Sequence, residues 1–200
     1  MNGAIHESMH VFIANGFNTC EKKEVRILEI GFGTGLNMLL TYKHSEIQKR
    51  SVYYHAVDKY PLNSEEYVAL NYPALEGMSL KKSFLKAHTS GWNREIKLRK
   101  DFTLYKELAD FREMIPGMNY HIVYFDAFAP DKQPEVWIPD IFKLIYDSMA
   151  GEGIMVSYTS KGAVRRTLKS VGFHVEKLSG PPGKREMLRA FKQHDDGIIK

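Results

Sequence analysis

Short runs rich in β-branched and aromatic residues alternate along this chain with amphipathic stretches of helical period. An amphipathic helix is predicted over Ile5–Ala14, with Met9, Val11 and Phe12 turned inward. Val25–Ile30 (VRILEI) predicts a buried strand that leads into a helix over Leu36–Lys43. Val52–Asp58 (VYYHAVD) predicts a second strand, followed by a helix over Asn63–Asn71 capped by Asn63 or Ser64. Ile96–Lys100 predicts a third strand whose charges suit a sheet edge. Ile122–Asp126 (IVYFD) predicts a fourth. Beyond it come a helix over Pro139–Met149 with Pro139 in its first turn, a fifth strand over Gly153–Thr159 and a helix over Lys161–Val171. Phe173–Leu178 and Met187–Phe191 predict a sixth and a seventh strand. Such alternation predicts an α/β fold of Rossmann-like, doubly wound type: a mostly parallel seven-stranded sheet with helices on both faces.

No repeat and no linker divides the 200 residues, so a single domain over 1–200 is expected. The turn Ser179–Gly183 (SGPPG) is the strongest break, but it falls too near the end to split off a domain. The polar tail Gln193–Lys200 is expected to fray. Hydrophobic residues make up 44% and charged residues 26%, the balance of an ordinary globular protein. No apolar run reaches the roughly 18 residues of a membrane span, and the N-terminus has no signal pattern, so no membrane partner is expected. Cys20 is the only cysteine. It excludes an internal disulfide and fits a reducing, cytoplasmic setting. The net charge of +4 is compatible with a nucleic-acid partner but does not select one.

Chemistry concentrates in two segments. Glu29-Ile30-Gly31-Phe32-Gly33-Thr34-Gly35-Leu36-Asn37 sits where the first strand becomes a helix. Glycines there let the backbone take positive φ and approach a ligand closely. A dinucleotide site would space them G-x-G-x-x-G; here the spacing is G-x-G-x-G, with Leu36 in the place of the last glycine. A ligand without a pyrophosphate fits better. Asp58 ends the second strand, where a carboxylate can accept from two ribose hydroxyls. Asp101, after the third strand, is expected to accept from an adenine amino group. The second segment is His121–Trp137 (HIVYFDAFAPDKQPEVW). Its Asp126 ends the fourth strand, and an aromatic, proline-stiffened loop follows, as at the floor of a substrate pocket. His6-Glu7-Ser8-Met9-His10 matches the zinc pattern H-E-x-x-H, but no third ligand follows, and no metal is expected.

Together these stretches resemble one family, the methyltransferases of the bacterial MnmC type, which complete the methylaminomethyl group on the tRNA wobble uridine. The resemblance is carried by GAIHESMHVFIANGF (Gly3–Phe17), LEIGFGTGLN (Leu28–Asn37), VDKYPL (Val57–Leu62), FDAFAPDKQPEVW (Phe125–Trp137) and GKREML (Gly183–Leu188). The helix KGAVRRTLKSVGF (Lys161–Phe173) also fits, so the resemblance spans nearly the whole chain. There are departures. The family has further residues before the point where this chain starts, and their absence would remove part of a pocket rim. Longer members carry a C-terminal flavin-dependent oxidase domain that nothing here encodes. Gln133 stands where the family often has Asn, and Asp58 where it often has Glu.

The resemblance implies methyl transfer from S-adenosylmethionine to the aminomethyl nitrogen of the wobble uridine. It implies Asp126 as the catalytic group that holds the amine. Gly31, Phe32, Gly33, Gly35, Asn37, Asp58, Lys59 and Asp101 would hold the cofactor, and Glu29 would brace the glycine loop. Glu7, Phe128, Pro130 and Trp137 would wall the substrate. Lys161, Arg165, Arg166, Lys184 and Arg185 would meet phosphates of the anticodon loop. A separate oxidase is an implied partner, and the oligomeric state stays open. Two other readings remain at this point: a methyltransferase acting on a small-molecule amine, and a non-catalytic protein that binds the cofactor or RNA.

Overall fold

The computed structural model describes residues 2–71, 78–113 and 119–193; the end of the tail, 194–200, lies outside them. The chain opens with α1 (Asn2–Ser8), which widens into a π-helical turn over Met9–Ala14. Then follow β1 (Glu24–Ile30), α2 (Leu36–Ile47), β2 (Ser51–Asp58), α3 (Ser64–Val68) and α4 (Met78–Thr89). The hairpin β3 (Arg94–Arg99) and β4 (Phe102–Leu108) leads on to β5 (Tyr120–Phe125) and α5 (Pro139–Ser148). The last elements are β6 (Met149–Ser157), α6 (Gly162–Ser170), β7 (Phe173–Ser179) and β8 (Glu186–Lys192).

The strands form one eight-stranded sheet in the order β3-β4-β2-β1-β5-β6-β8-β7. The five central strands, β4, β2, β1, β5 and β6, are parallel. β3 is antiparallel to β4, and β8 is antiparallel to both β6 and β7. The sheet thus has one strand more than the seven expected. The additional strand is Phe102–Leu108, which the charges of Lys106 and Glu107 disguise in the sequence. In the fold the Lys106 stem is buried, and its ammonium donates to the Ser90 carbonyl at 2.9 Å beside the Trp92 ring.

Alternate residues of the central strands feed two cores. Ile27, Tyr54, Leu104 and Tyr124 face the π-helical turn, α2 and α4. Leu28, Val57, Val123 and Phe125 face α5 and α6. Near-continuous burial along β1, β2 and β5 is what a sheet covered on both faces demands. Ile30 lies level with Val57 on one side and Phe125 on the other. The carboxyl ends of the three middle strands therefore finish in line, and everything that follows them in sequence is delivered to one rim.

α3 is shorter than expected and starts at the predicted cap. The Asn63 side chain accepts from the Glu66 amide at 3.0 Å, and the Glu66 carboxylate accepts from the Asn63 amide at 2.8 Å. The predicted N-terminal helix is present as two kinds of turn. Its π segment presses Val11, Phe12 and Ile13 onto the sheet, with Phe12 and Tyr124 rings 5.2 Å apart.

Candidate functional site

A crevice of about 470 Å³ opens over the carboxyl ends of β1, β2, β4 and β5. Its size is that of a pocket for a small organic molecule. The glycine loop forms one wall. Gly31, Gly33 and Gly35 take φ of 89°, 49° and 70°, a region other residues enter at a cost. A Cβ on Gly31 would press on the Asp126 carbonyl at 3.1 Å, whereas one on Gly33 would meet no protein atom within 4 Å. Gly33 therefore leaves its space open toward the crevice. Asp58 fixes the loop: one carboxylate oxygen accepts from the Gly33 amide and the other from the Tyr60 amide, both at 2.8 Å.

The floor holds Asp126 and Asn37, and the Asn37 amide joins Asp126 to the buried Glu29 behind it. The Asn37 side-chain NH₂ donates to Glu29 at 2.9 Å and to Asp126 at 2.8 Å. Glu29 is fully buried, one of its oxygens has no hydrogen-bond partner, and the Tyr54 hydroxyl lies beside it. Burial, with Asp126 adding like charge, holds its carboxyl well above the usual range. Asp126 faces the crevice. Its enclosure pushes its carboxyl up to about 7, against the pull of the Asn37 hydrogen bond; the charge of Glu7 raises it further and that of Lys184 lowers it. A carboxylate that titrates near neutrality can take up and release a proton under ordinary conditions.

The remaining walls come from several elements. Glu7 and Ser8 of α1 and Phe12 of the π turn line one side. Lys59, Tyr60 and Leu62 follow β2; Ala109, Asp110 and Phe111 follow β4; Phe128, Gln133 and Glu135 follow β5. Phe128 leaves 73% of its surface exposed at the mouth, as does Tyr60. Lys59 pairs with Asp110 at 3.1 Å, and Arg112 also binds Asp110, so that carboxyl is held well below the usual range.

Three expectations need correction. Asp101 lies in the β3–β4 turn, at the amino end of β4 and thus at the opposite rim from the crevice. Its carboxylate is bound by Arg99. The acid that follows the parallel strand is Asp110, missed because β4 was not recognised. Trp137 does not wall the pocket. It is buried in the core with its ring 4.8 Å from Phe125, and its indole N–H donates to the Phe128 carbonyl at 2.9 Å. It props the loop from behind. Pro130 stands outside the crevice lining, in the turn beyond Phe128. Phe32 lines the crevice, and its ring packs against His88 and Trp92 at 5.4 and 6.0 Å. Burial drives His88 there down to about 4.

The basic residues are dispersed. Lys161, just before α6, is bound to Asp131 of the loop after β5. Arg165 is half-buried, Arg166 and Arg185 are exposed, and Lys184 is paired with Glu7 at the crevice mouth. His10 of the histidine motif bonds the Ser179 carbonyl at 2.8 Å. Among the described residues no group of three His, Cys, Asp or Glu side chains is arranged to hold a metal ion. Nor is any helix among them long and apolar enough to cross a membrane.

Residues 76–193 match the model of a family described as S-adenosyl-L-methionine-dependent methyltransferase. The chain belongs to that family. As a methyltransferase it is similar to the tRNA 5-methylaminomethyl-2-thiouridine biosynthesis bifunctional protein MnmC of Idiomarina loihiensis. That relative is 30% identical over 94% of this chain and 34% of its own length. The protein of the same name from Nitrosospira multiformis is 31% identical over 94% of this chain and 33% of its own. The methyltransferase thus spans about a third of the length of the curated relatives it matches. Among solved structures, MnmC2 from Aquifex aeolicus superposes with a TM-score of 0.79 at 28% identity, covering 97% of this chain and 63% of that one. Spermidine synthase from Thermotoga maritima, at 13% identity and a TM-score of 0.60, shares the fold.

S-adenosylmethionine is the cofactor of this family. The crevice fits it. Gly31 and Gly33 line the crevice with bare backbone at positive φ, and the loop lacks the third dinucleotide glycine. The Asp126 carboxyl faces the cavity and, when ionised, favours a sulfonium cation there.

Proposed function

We propose that this protein transfers a methyl group from S-adenosylmethionine to the aminomethyl nitrogen of a modified wobble uridine in tRNA, inside the cytoplasm. The observation that carries the reading is Asp126: a carboxyl poised near neutrality, beside the glycine loop, in a crevice with an exposed aromatic at its mouth. The names of the relatives, which concern 5-methylaminomethyl-2-thiouridine in tRNA, support the choice of substrate.

In this reading Gly31, Gly33, Gly35 and Asp58 hold the cofactor, with Lys59, Asn37 and Asp110 completing the cradle. The cofactor supplies an electrophilic methyl group. The protein supplies alignment, dryness and a proton acceptor. An aliphatic amine arrives protonated at neutral pH, and in that form it has no lone pair to attack with. Asp126 accepts a hydrogen bond from the amine, takes its proton and aims the freed lone pair. Phe128, at the rim, gives the uracil an aromatic face to stack on. Asn37 holds the Asp126 carboxylate and leaves its outer oxygen to the substrate. Glu29, its carboxyl pushed upward by burial, steadies Asn37 from behind. Lys161, Arg165, Arg166, Lys184 and Arg185 would meet phosphates of the bound RNA. The primary amine is the product of an oxidative activity.

The test is an assay with methyl-labelled S-adenosylmethionine and total tRNA from cells lacking this modification step, followed by nucleoside analysis. Label in 5-methylaminomethyl uridine is the expected result. Label confined to added small amines, or to another nucleoside, contradicts the proposal.

A further inference from the structure

Glu7 and Lys184 are 177 positions apart and meet at the crevice mouth, where the lysine ammonium is ion-paired to the Glu7 carboxylate. Two devices bring them together. The turn between β7 and β8 is closed by the Lys184 amide donating to the Pro181 carbonyl at 2.8 Å and the Gly180 amide to the Arg185 carbonyl at 3.2 Å. The start of that turn is tied to the N-terminal helical segment by His10, whose ring bonds the Ser179 carbonyl. Lys184 then reaches inward until its ammonium lies 4.4 Å from the centre of the Tyr158 ring. Tyr158 is itself fixed, its hydroxyl donating to the Ala127 carbonyl at 2.8 Å.

An alkylammonium is thus held against one carboxylate and one aromatic face, next to the carboxyl of Asp126. Any other alkylammonium is matched by the same surroundings. The groups that face Asp126 are Glu7 from α1, Glu29 from β1, Asn37 from α2, Tyr54 from β2, Tyr158 following β6, and Lys184 from the β7–β8 turn. Glu7 and Lys184 are the charged pair at the open side: about a third of each side chain is exposed, so the pair can part without opening a core.

We propose that Glu7 and Tyr158 form the receiving site for the substrate's ammonium group, and that Lys184 occupies that site as a stand-in until the substrate arrives. This rests on the reading of the protein as an amine methyltransferase. The incoming aminomethyl group, as –CH₂–NH₃⁺, replaces the lysine ammonium at Glu7. One cation succeeds another, so the carboxylate is never left unpaired. Lys184 swings outward on its flexible stem to a phosphate of the bound RNA. The ammonium then passes one proton to the Asp126 carboxylate. The nitrogen lone pair forms the new N–C bond as the C–S bond breaks, and the electrons of that bond stay on sulfur. A wobble uridine without the amine has no charge with which to displace Lys184. The exchange therefore selects the aminated base before any chemistry.

The test compares binding of two tRNAs, one carrying 5-aminomethyl wobble uridine and one with plain uridine at that place. Wild type, Glu7→Gln, Glu7→Asp and Lys184→Met are each measured with S-adenosylhomocysteine present. Wild type should prefer the aminated tRNA by about tenfold or more, and Glu7→Gln should reduce the preference to within about twofold. Glu7→Asp should keep part of it. Lys184→Met should weaken both tRNAs yet widen the preference, because the internal competitor is gone. A full preference in Glu7→Gln, or a narrowed one in Lys184→Met, overturns the proposal. Should Glu7→Gln fail to fold, Lys184→Met and Glu7→Asp decide it alone. A wild type that neither prefers nor methylates the aminated tRNA overturns instead the function on which the proposal rests.

Discussion

At the carboxyl ends of β1 and β5, Glu29 and Asp126 meet across the neutral amide of Asn37, and both carboxyls are pushed upward. At the amino end of β4, Asp101 is bound by Arg99, which also donates to Ser45 at 3.0 Å and lies over the Tyr42 ring; its carboxyl is held below the usual range. Both rims of the sheet carry acids after a strand-like pattern, and the sequence motifs alone gave no way to rank them. The folded surroundings do. Asp101, satisfied by a guanidinium away from the crevice, serves the scaffold. An acid enclosed with only a neutral donor keeps its proton affinity near the working pH and is available for chemistry.

Breaking the comparison at its active end should give the largest effect. Asp126→Asn preserves shape and removes the charge, so single-turnover methyl transfer should fall by about 10²–10⁴-fold while cofactor affinity changes little. Gly33→Val should come next. A β-branched side chain is strained at this positive φ and adds bulk to a residue that lines the crevice, and calorimetry should show affinity for S-adenosylmethionine lowered by about a hundredfold or more.

Glu29→Gln sharpens the account through stability. Glu29 has its folded pKa raised, so between the unfolded pKa and the folded one the native state holds the extra proton. Stability therefore falls as pH rises through that window, by up to about 1.4 kcal/mol per pH unit. Denaturant titrations from pH 5 to 8 should show a shallower fall for the glutamine variant. An identical slope in both would mean that Glu29 is not the group being titrated. At the opposite rim Asp101→Asn should leave cofactor affinity within about twofold and cost about 1 kcal/mol or less of stability, the usual scale for an exposed ion pair.

The parts of this molecule legible in the sequence are those in which one residue pattern has one meaning. Short runs rich in β-branched and aromatic residues such as VRILEI and IVYFD, bounded by turn signals, read as buried strands, and glycines at alternate positions after such a run mark a turn that suits close approach of a ligand. A cap at Asn63 or Ser64 was legible from residue type alone; the structure selects Asn63, whose partner Glu66 sits three residues on. The losses have a common physical origin. Lys106 hides a strand because a lysine stem buries well when its ammonium finds a carbonyl, and missing that strand transferred its terminal acid from Asp110 to Asp101. Trp137 follows the aromatic loop in sequence, yet its indole turns back to the core and only its N–H reaches the loop. Tyr158 carried no sequence signal at all. Its role comes from meeting Lys184 and the Ala127 carbonyl, contacts that exist only after the sheet has closed.

The most direct measurement of the central claim is the pH dependence of single-turnover methyl transfer to tRNA carrying 5-aminomethyl wobble uridine, in wild type and in Asp126→Asn. Asp126 must be ionised to take the proton, so with its carboxyl at about 7 the wild-type rate should climb as pH rises through that value and level off above it. The variant lacks the group, so its residual rate should lack that limb and rise only as the amine itself loses its proton in bulk solvent. A wild-type limb near 7 that disappears in Asp126→Asn is the predicted result. The same limb in both proteins would contradict the account and move the proton acceptor elsewhere in the crevice.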